Sequence, residues 1–332
     1  MRVVGTGGAG YIGATTVRAL LDFSHDVIVF DDLSKGHREA IPASVRFVEG
    51  DLADRTALDE LLRQHRPEAV LHFAASIEAG ESMREPQRYF RNNCASTLTL
   101  LEAMLANGVK KLIFSSTAAL YGEPKRIPIQ EDDALQPTNV YGASKLLVEQ
   151  MLSWFNQIHG FRYASLRYFN AAGSNGHSGE LHDPESHLIP LVLQVAAGKR
   201  ESISIYGTDY STEDGTCVRD YIHVSDLADA HILALDALEQ RDKLIYNLGN
   251  GQGFSVRQVI ETARRVTGKP IKAVEAPRRS GDPAVLVASS EKILRELNWR
   301  PKYPDLEKII FSAWHWSQEH PHGYRELAGA LG

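Results

Sequence analysis

Apolar residues in the first half of the chain fall into short runs separated by stretches of helical period. Arg2-Val3-Val4, Val27-Ile28-Val29-Phe30, Val45-Arg46-Phe47-Val48, Ala69-Val70-Leu71-His72-Phe73, Lys111-Leu112-Ile113-Phe114 and the segment 163–170 read as strands. Between them lie helical stretches: one carrying Val17, Leu20 and Leu21, one over 56–65, one around 93–106 and one over 141–150. The last is rich in Lys, Leu, Glu and Gln and free of Pro, a composition that favours helix. Strict strand–helix alternation predicts an α/β fold, a Rossmann-type doubly wound parallel sheet with crossover helices. From about residue 171 the pattern loosens into loops rich in Gly, Asn, His and Pro. The expectation is one domain over 1–170 and a smaller C-terminal α/β lobe over 171–332. Segments from about 218–250, notably 218–235, should return to the sheet. No internal repeat, low-complexity tract or long linker interrupts the chain.

Ligands of such sheets bind beyond the carboxyl ends of the strands. The chemistry-bearing residues of this sequence fall there: Asp31, Phe73, Thr117, Asn170 and the glycine turn Thr6-Gly7-Gly8-Ala9-Gly10-Tyr11-Ile12-Gly13. Glycines 7, 10 and 13 sit between a strand and a helix, the order that a dinucleotide fingerprint needs. They let the backbone approach a pyrophosphate, which then rests on the positive helix N-terminus. Asp31 and Asp32 follow the next strand, about 20 residues after the glycines. A carboxylate there accepts from the adenosine ribose hydroxyls and repels a 2′-phosphate, so NAD is favoured over NADP. The first domain is therefore read as NAD-binding. A glycine-rich turn followed by a solvated Asp pair would be the bland explanation, but it leaves the register of all three elements to chance.

Tyr141 and Lys145 stand four residues apart and share one helix face. An ammonium fixed beside a phenol favours the phenolate, which predicts a Tyr141 pKa below the usual value of about 10. That would make Tyr141 a general base near neutral pH. Alone the pair is a weak signal, but with an N-terminal dinucleotide fingerprint it points to redox chemistry on an alcohol.

Composition narrows the field. The 332 residues, 43% hydrophobic, are ordinary for a globular enzyme of one large or two modest domains. A net charge of −6 gives no electrostatic footprint for nucleic acid or an anionic membrane. Cys94 and Cys217 make no metal or redox spacing, so a reducing, cytoplasmic compartment is expected. The N-terminus already reads as the first strand, which leaves no signal peptide. No apolar run approaches the roughly 20 residues that span a bilayer. His177, His182 and His187 recur every five residues in a loop without helical metal-ligand spacing, so no metal is expected. Trp314-His315-Trp316 reads as packing.

Longer blocks carry a resemblance. TGGAGYIG, VFDDLSKG, EGDL, HFAA, FSSTAALYG, YGASK, RYFNAAG, HLIP, TEDGTCVRDYIHVSDLADAH, NLGNG, APRRSGDPA and ELNWRP run in order through nearly the whole chain. With them the sequence resembles the extended short-chain dehydrogenases/reductases, and among them the UDP-glucose 4-epimerases. The resemblance implies NAD as cofactor, a UDP-sugar as substrate and a homodimer formed by helices at 96–106 and 144–156. Leu98, Leu101, Met104 and Leu105 with Leu147, Met151 and Trp154 would line that face. It further implies a catalytic set of Tyr141, Lys145 and Thr117, with Lys145 also anchoring the nicotinamide ribose. Gly7, Gly10, Gly13, Tyr11 and Ile12 would lie on the pyrophosphate, Asp31 on the ribose, and Asp51 and Leu52 around adenine. Phe73, Ala74, Asn92 and Ser115 would line the cofactor, with Phe169 beside the nicotinamide. Asn170, His187, Leu188, Arg219, Arg279 and Asp282 would contact the UDP-sugar. Leu286 would limit space at the sugar's 2-substituent.

The chemistry behind the resemblance is intelligible. The C–H of an unactivated secondary alcohol is not acidic, so inversion needs oxidation to a ketone and hydride return to the other face. Some positions depart from the family. Gly5 stands where a β-branched residue is usual, and glycine inside a strand costs about 0.5–1 kcal/mol. Ala14 and Thr15 replace Ser-His, and Ile77 and Glu78 occupy a loop where some members carry a phosphate-binding Lys. Thr117 stands where many have Ser, and the hydroxyl is kept. The alternatives are an epimerase of UDP-N-acetylglucosamine or a UDP-pentose, a sugar-nucleotide dehydratase, or a silent NAD-binding scaffold. Ala118-Ala119 after Thr117 lack the Asp-Glu pair a dehydratase needs, and intact Thr117, Tyr141 and Lys145 argue against the scaffold.

Overall fold

The computed structural model describes residues 1–279 and 282–324; Ser280 and Gly281, inside the APRRSGDPA block, lie outside it. In chain order the first half runs β1 (Arg2–Thr6), α1 (Tyr11–Asp22), β2 (Asp26–Asp31), β3 (Arg46–Glu49), α2 (Arg55–His65) and β4 (Ala69–His72). Two single turns follow, α3 (Ala79–Ser82) and α4 (Pro86–Tyr89), then α5 (Ser96–Ala106), β5 (Lys111–Thr117), α6 (Val140–His159) and β6 (Arg162–Tyr168). The second half contains β7 (Asn170–Ala172), α7 (Leu188–Ala196), β8 (Ile203–Tyr206), β9 (Val218–His223), α8 (Val224–Ala237) and β10 (Lys243–Leu248). It closes with β11 (Gly253–Ser255), α9 (Val256–Thr267), β12 (Ala273–Ala276), β13 (Val285–Leu286), α10 (Glu291–Leu297) and α11 (Leu306–Glu319).

Seven strands form a parallel sheet in the order β10-β6-β5-β4-β1-β2-β3. The order reverses between β1 and β4, which opens the ligand crevice of a doubly wound sheet at their carboxyl ends. Side chains alternate between two cores because successive strand residues face opposite ways. Val3, Val27 and Val29 join Val17, Leu227 and Ile232 under α1 and α8. Val4, Ile28 and Phe30 join Leu58, Leu100 and Leu152 under α2, α5 and α6. Each such fully buried aliphatic side chain stabilises the fold by about 1.5–3 kcal/mol.

The strand that returns to the main sheet lies within the expected 218–250 but beyond its emphasised part, 218–235. Lys243–Leu248 is what joins the main sheet, pairing with β6. Val218–His223 instead centres a second sheet with β7, β11 and β13, and α8 turns back to pack against α1. The reason is continuity: β6 runs almost directly into β7, and β9 pairs alongside that extension rather than alongside β6. A third core of Val192, Ile205, Tyr221, Val259 and Ile310 holds α7, α9 and α11 to this unit.

The expected dimer face also needs correction. Leu101 and Met104 are fully buried in the monomer's own core against α2, whereas Leu98, Leu147, Trp154 and Ile158 are exposed. Among the described residues no helix is long and apolar enough to cross a membrane.

Candidate active site

α6 carries the Tyr-Lys pair, and its placement is locally encoded. Asn139 caps its N-terminus by accepting from the Gly142 N–H at 2.8 Å, and Gly160 in the left-handed region ends it. Gly142 lets the helix press against the turn after β5, since a Cβ there would lie 2.5 Å from the Ala119 carbonyl oxygen. Thr117, at the end of β5, is thereby brought up to the first turn of α6. Its hydroxyl accepts from the Ala119 N–H at 3.1 Å and hydrogen-bonds the Tyr141 phenol.

Beneath them, the Lys145 ammonium donates to the Ser115 carbonyl at 2.8 Å and lies 4.8 Å from the centroid of the Phe114 ring. Burial pushes Lys145 down to about 7. Tyr141 is pushed up to about 12, first by burial and then by the charge of Glu78, against the lowering effect of the Thr117 hydrogen bond. Burial thus works against the depression expected from the Tyr-Lys spacing. Lys145 is turned towards β5, where it meets the Ser115 carbonyl.

A cavity of about 1680 Å³ runs over the carboxyl edge of the sheet. It exceeds the roughly 300–1,000 Å³ usual for one small ligand, and so has room for two. Gly7, Gly10, Tyr11, Ile12, Gly13, Asp31, Asp51, Leu52, Phe73, Ala74, Asn92 and Ser115 line its nucleotide end and floor. Thr117, Tyr141, Lys145 and Phe169 lie with Asn170, His187, Leu188, Arg219, Arg279, Asp282 and Leu286 along the rest. The cavity thus brings together the residues expected to contact cofactor and substrate and those expected to be catalytic.

The nucleotide end fits a dinucleotide. Gly7 has φ of +69°, and a Cβ there would lie 2.3 Å from the Ala74 nitrogen, so the turn can hold only glycine. Asp31 is buried and accepts from the Ala9 and Leu33 N–H groups, each at 2.9 Å, which fixes its carboxylate at the tip of β2. Burial raises its pKa, partly offset by those two donors. The Tyr11 hydroxyl donates to the Gly173 carbonyl at 2.6 Å, tying the glycine turn to the loop after β7.

At the other end, Arg219 pairs with Asp282 and donates to the Pro283 carbonyl at 2.8 Å. Arg279 stacks on the Tyr206 ring at 4.0 Å. Asn170 donates to the Asp220 carbonyl at 2.9 Å, and Leu286 pairs with Arg219 across β13 and β9. Asp220 is fully buried and accepts from the N–H groups of Asn250, Gly251 and Ala288 at 2.7, 3.0 and 3.1 Å. Those bonds hold the NLGNG turn and β13 against β9; burial nevertheless lifts Asp220 to about 6.

Comparison with known proteins agrees with this geometry. The pattern that defines the NAD dependent epimerase/dehydratase family matches residues 3–249. The chain belongs to this family. It is 55% identical over 327 residues to the UDP-glucose 4-epimerase of Halalkalibacterium halodurans, covering 98% of each chain. The UDP-glucose 4-epimerase of Brucella ovis in complex with NAD superposes with a TM-score of 0.92 at 44% identity, over 95% of this chain and 98% of that one. The Bifidobacterium longum enzyme in complex with NAD+ and UDP gives 0.93 at 37% identity, over 97% and 100%.

Several residues that shape the site carry little local signal. Asn93 is buried, donates to Ser144 of α6 at 3.0 Å and accepts from the Ser76 N–H at 2.8 Å, so it joins the loop after β4 to the catalytic helix. Glu78 accepts from Ser186 at 2.5 Å, bridging that loop to the one before α7. Asn93 stands at the start of the helical stretch read around 93–106, and Glu78 in the loop where some relatives carry a Lys, but neither position by itself shows which distant partner it meets.

Proposed function

We propose that this chain interconverts UDP-galactose and UDP-glucose by NAD-dependent oxidation at C4 to a 4-keto intermediate, followed by hydride return to the opposite face. The observation that carries the reading is the meeting of Thr117, Tyr141 and Lys145 in one cleft, between a dinucleotide turn and a lobe bearing Arg219, Arg279 and Asn170. NAD, when bound, supplies the hydride acceptor and a cationic ring that favours a phenolate nearby. Tyr141 takes the proton from the sugar hydroxyl and returns it after inversion, with Thr117 bonded to the same oxygen. Lys145 anchors the nicotinamide ribose and, when charged, supports the phenolate. Arg219 and Arg279 suit a diphosphate, since each guanidinium can donate to two oxygens. Asp282 suits a ribose diol. In this reading residues 1–170 with the returned strand bind NAD, and the remainder binds the UDP-sugar.

The test is to incubate the purified protein with UDP-galactose, without added NAD, and follow UDP-glucose. Steady formation of UDP-glucose with no net NAD consumption is expected. A dehydrated keto-sugar would instead indicate a dehydratase, and no turnover a scaffold. The alternative substrates, UDP-N-acetylglucosamine and UDP-pentoses, are separated by comparing kcat/KM in the same assay.

The exposed apolar face of α5 and α6, where Trp154 is 62% and Ile158 66% exposed, supports a homodimer built on these helices. Light scattering at micromolar concentration should give twice the chain mass, and a monomeric mass would refute it. Free Cys94 and Cys217 suit a reducing, cytoplasmic compartment.

A further inference from the structure

The loop between β7 and α7 gathers four side chains that the reaction does not use as a group. Glu180, His182, Glu185 and His187 each offer one ligand atom, and the four atoms lie within 4.8 Å of one another. His187 Nδ1 is 2.9 Å from Glu180 Oε1 and 2.8 Å from Glu185 Oε1. His182 Nδ1 is 3.5 Å from Glu180 Oε1 and 3.8 Å from Glu185 Oε2, and it is buried without a hydrogen-bond partner. Both carboxylates are more than nine-tenths buried, with side chains 8% and 6% exposed.

We propose that Glu180, His182, Glu185 and His187 form a structural site for a divalent transition metal, with Zn²⁺ the best-fitting ion. Four donors around zinc at 2.0–2.2 Å lie about 3.3–3.6 Å from each other in a tetrahedron, and the present separations bracket that edge. Two imidazole nitrogens and two carboxylate oxygens are a zinc donor set, and two carboxylates neutralise a divalent cation without leaving buried charge. Four protein ligands leave no open coordination position, so the ion is structural rather than catalytic. The five-residue histidine spacing argued against a metal only because it ignored the two intervening glutamates.

The ion's work follows from what the loop touches. Lys35 donates to the Asp183 carbonyl, and the His37 ring lies 3.2 Å from the Leu181 carbonyl oxygen. Ser186 donates to Glu78, and His187 is the residue immediately before α7. A metal here staples the loop that joins the nucleotide end of the cleft to the substrate end.

The protein, purified with its bound cofactor, should carry about one zinc per chain by elemental analysis after dialysis against Zn²⁺. Replacement by Co²⁺ should give the visible bands of a tetrahedral site. Chelation should lower the thermal midpoint, and Zn²⁺ should restore it. His182→Ala and the near-isosteric Glu185→Gln should each retain less than about a tenth of the wild-type metal. Failure of the wild-type protein to retain zinc would overturn the proposal, as would undiminished metal in either folded variant. Neither readout depends on turnover, so they stand apart from any failure of the proposed reaction.

Discussion

Glu149→Gln is the perturbation whose cost the structure defines best. Glu149 projects from α6 into the sheet, where its Oε1 accepts from Ser116 Oγ at 2.7 Å and Arg167 Nε at 3.0 Å. Its Oε2 accepts from Arg167 Nη2 at 2.7 Å, and the two side chains are 7% and 3% exposed. Arg167 also donates to the Tyr121 hydroxyl at 2.7 Å, and Tyr121 donates onward to Asn247 of β10 at 2.7 Å. The amide keeps the shape but leaves Arg167 a buried, uncompensated cation. Two unit charges about 4 Å apart at an effective dielectric of about 20 interact by about 4 kcal/mol. Broken buried pairs independently cost about 3–5 kcal/mol. At about 2–4 °C per kcal/mol for a domain of 150–250 residues, the thermal midpoint should fall by about 6–20 °C. Because α6 carries Tyr141 and Lys145 while β5 carries Ser115 and Thr117, the folded variant should lose kcat more than KM. The assay is thermal unfolding of the cofactor-loaded protein by near-UV circular dichroism, paired with steady-state kinetics. Glu149→Leu combined with Arg167→Met should cost less than the sum of the single changes. A loss below about 1 kcal/mol in Glu149→Gln would refute the view that this pair locks the catalytic helix to the sheet.

The remaining predictions concern chemistry, acidity, packing and range. Tyr141→Phe should lower turnover by at least about 10²-fold while bound NAD, measured after denaturation, stays unchanged; near-normal turnover would remove Tyr141 from the mechanism. Glu78→Gln removes a negative charge that raises the Tyr141 pKa, so the phenol should ionise at lower pH and the rising limb of kcat/KM against pH should move down; an unmoved or upward-moved limb would contradict this. Gly5→Ala should stabilise the fold by about 0.5–1 kcal/mol, because the added Cβ meets only Val17 at 3.9 Å and Gly8 at 4.0 Å; chemical denaturation should show that gain, and a loss would refute the reasoning. Leu286→Tyr should lower, and Leu286→Gly raise, kcat/KM for UDP-N-acetylglucosamine relative to UDP-glucose by about 1–3 kcal/mol in discrimination; if the ratio ignores both, Leu286 is not the gate.

Much of this protein is written locally along the chain. Short apolar runs and stretches of period 3.6 mark the first six strands and their helices, because the parallel strands are covered on both faces and each helix turns one apolar face to the sheet. Gly7 is readable because only glycine accepts its backbone, and Asn139 and Gly160 bound α6 through caps that involve near neighbours. The family blocks supply the rest, since they assign Tyr141, Thr117 and Arg219 to one site from sequence alone. Tertiary structure alone decided what depends on distant partners. Leu101 and Met104 read as surface apolar residues until the packing of α2 buried them, and the strand returning to the sheet proved to be Lys243–Leu248. The acidities of Tyr141 and Lys145 are set less by their helical spacing than by the depth of the cleft, because desolvation outweighs the attraction expected between neighbours. The Glu180–His187 cluster was hidden for a related reason. Its spacing fits no regular element, and only the fold of an irregular loop turns four side chains onto one point.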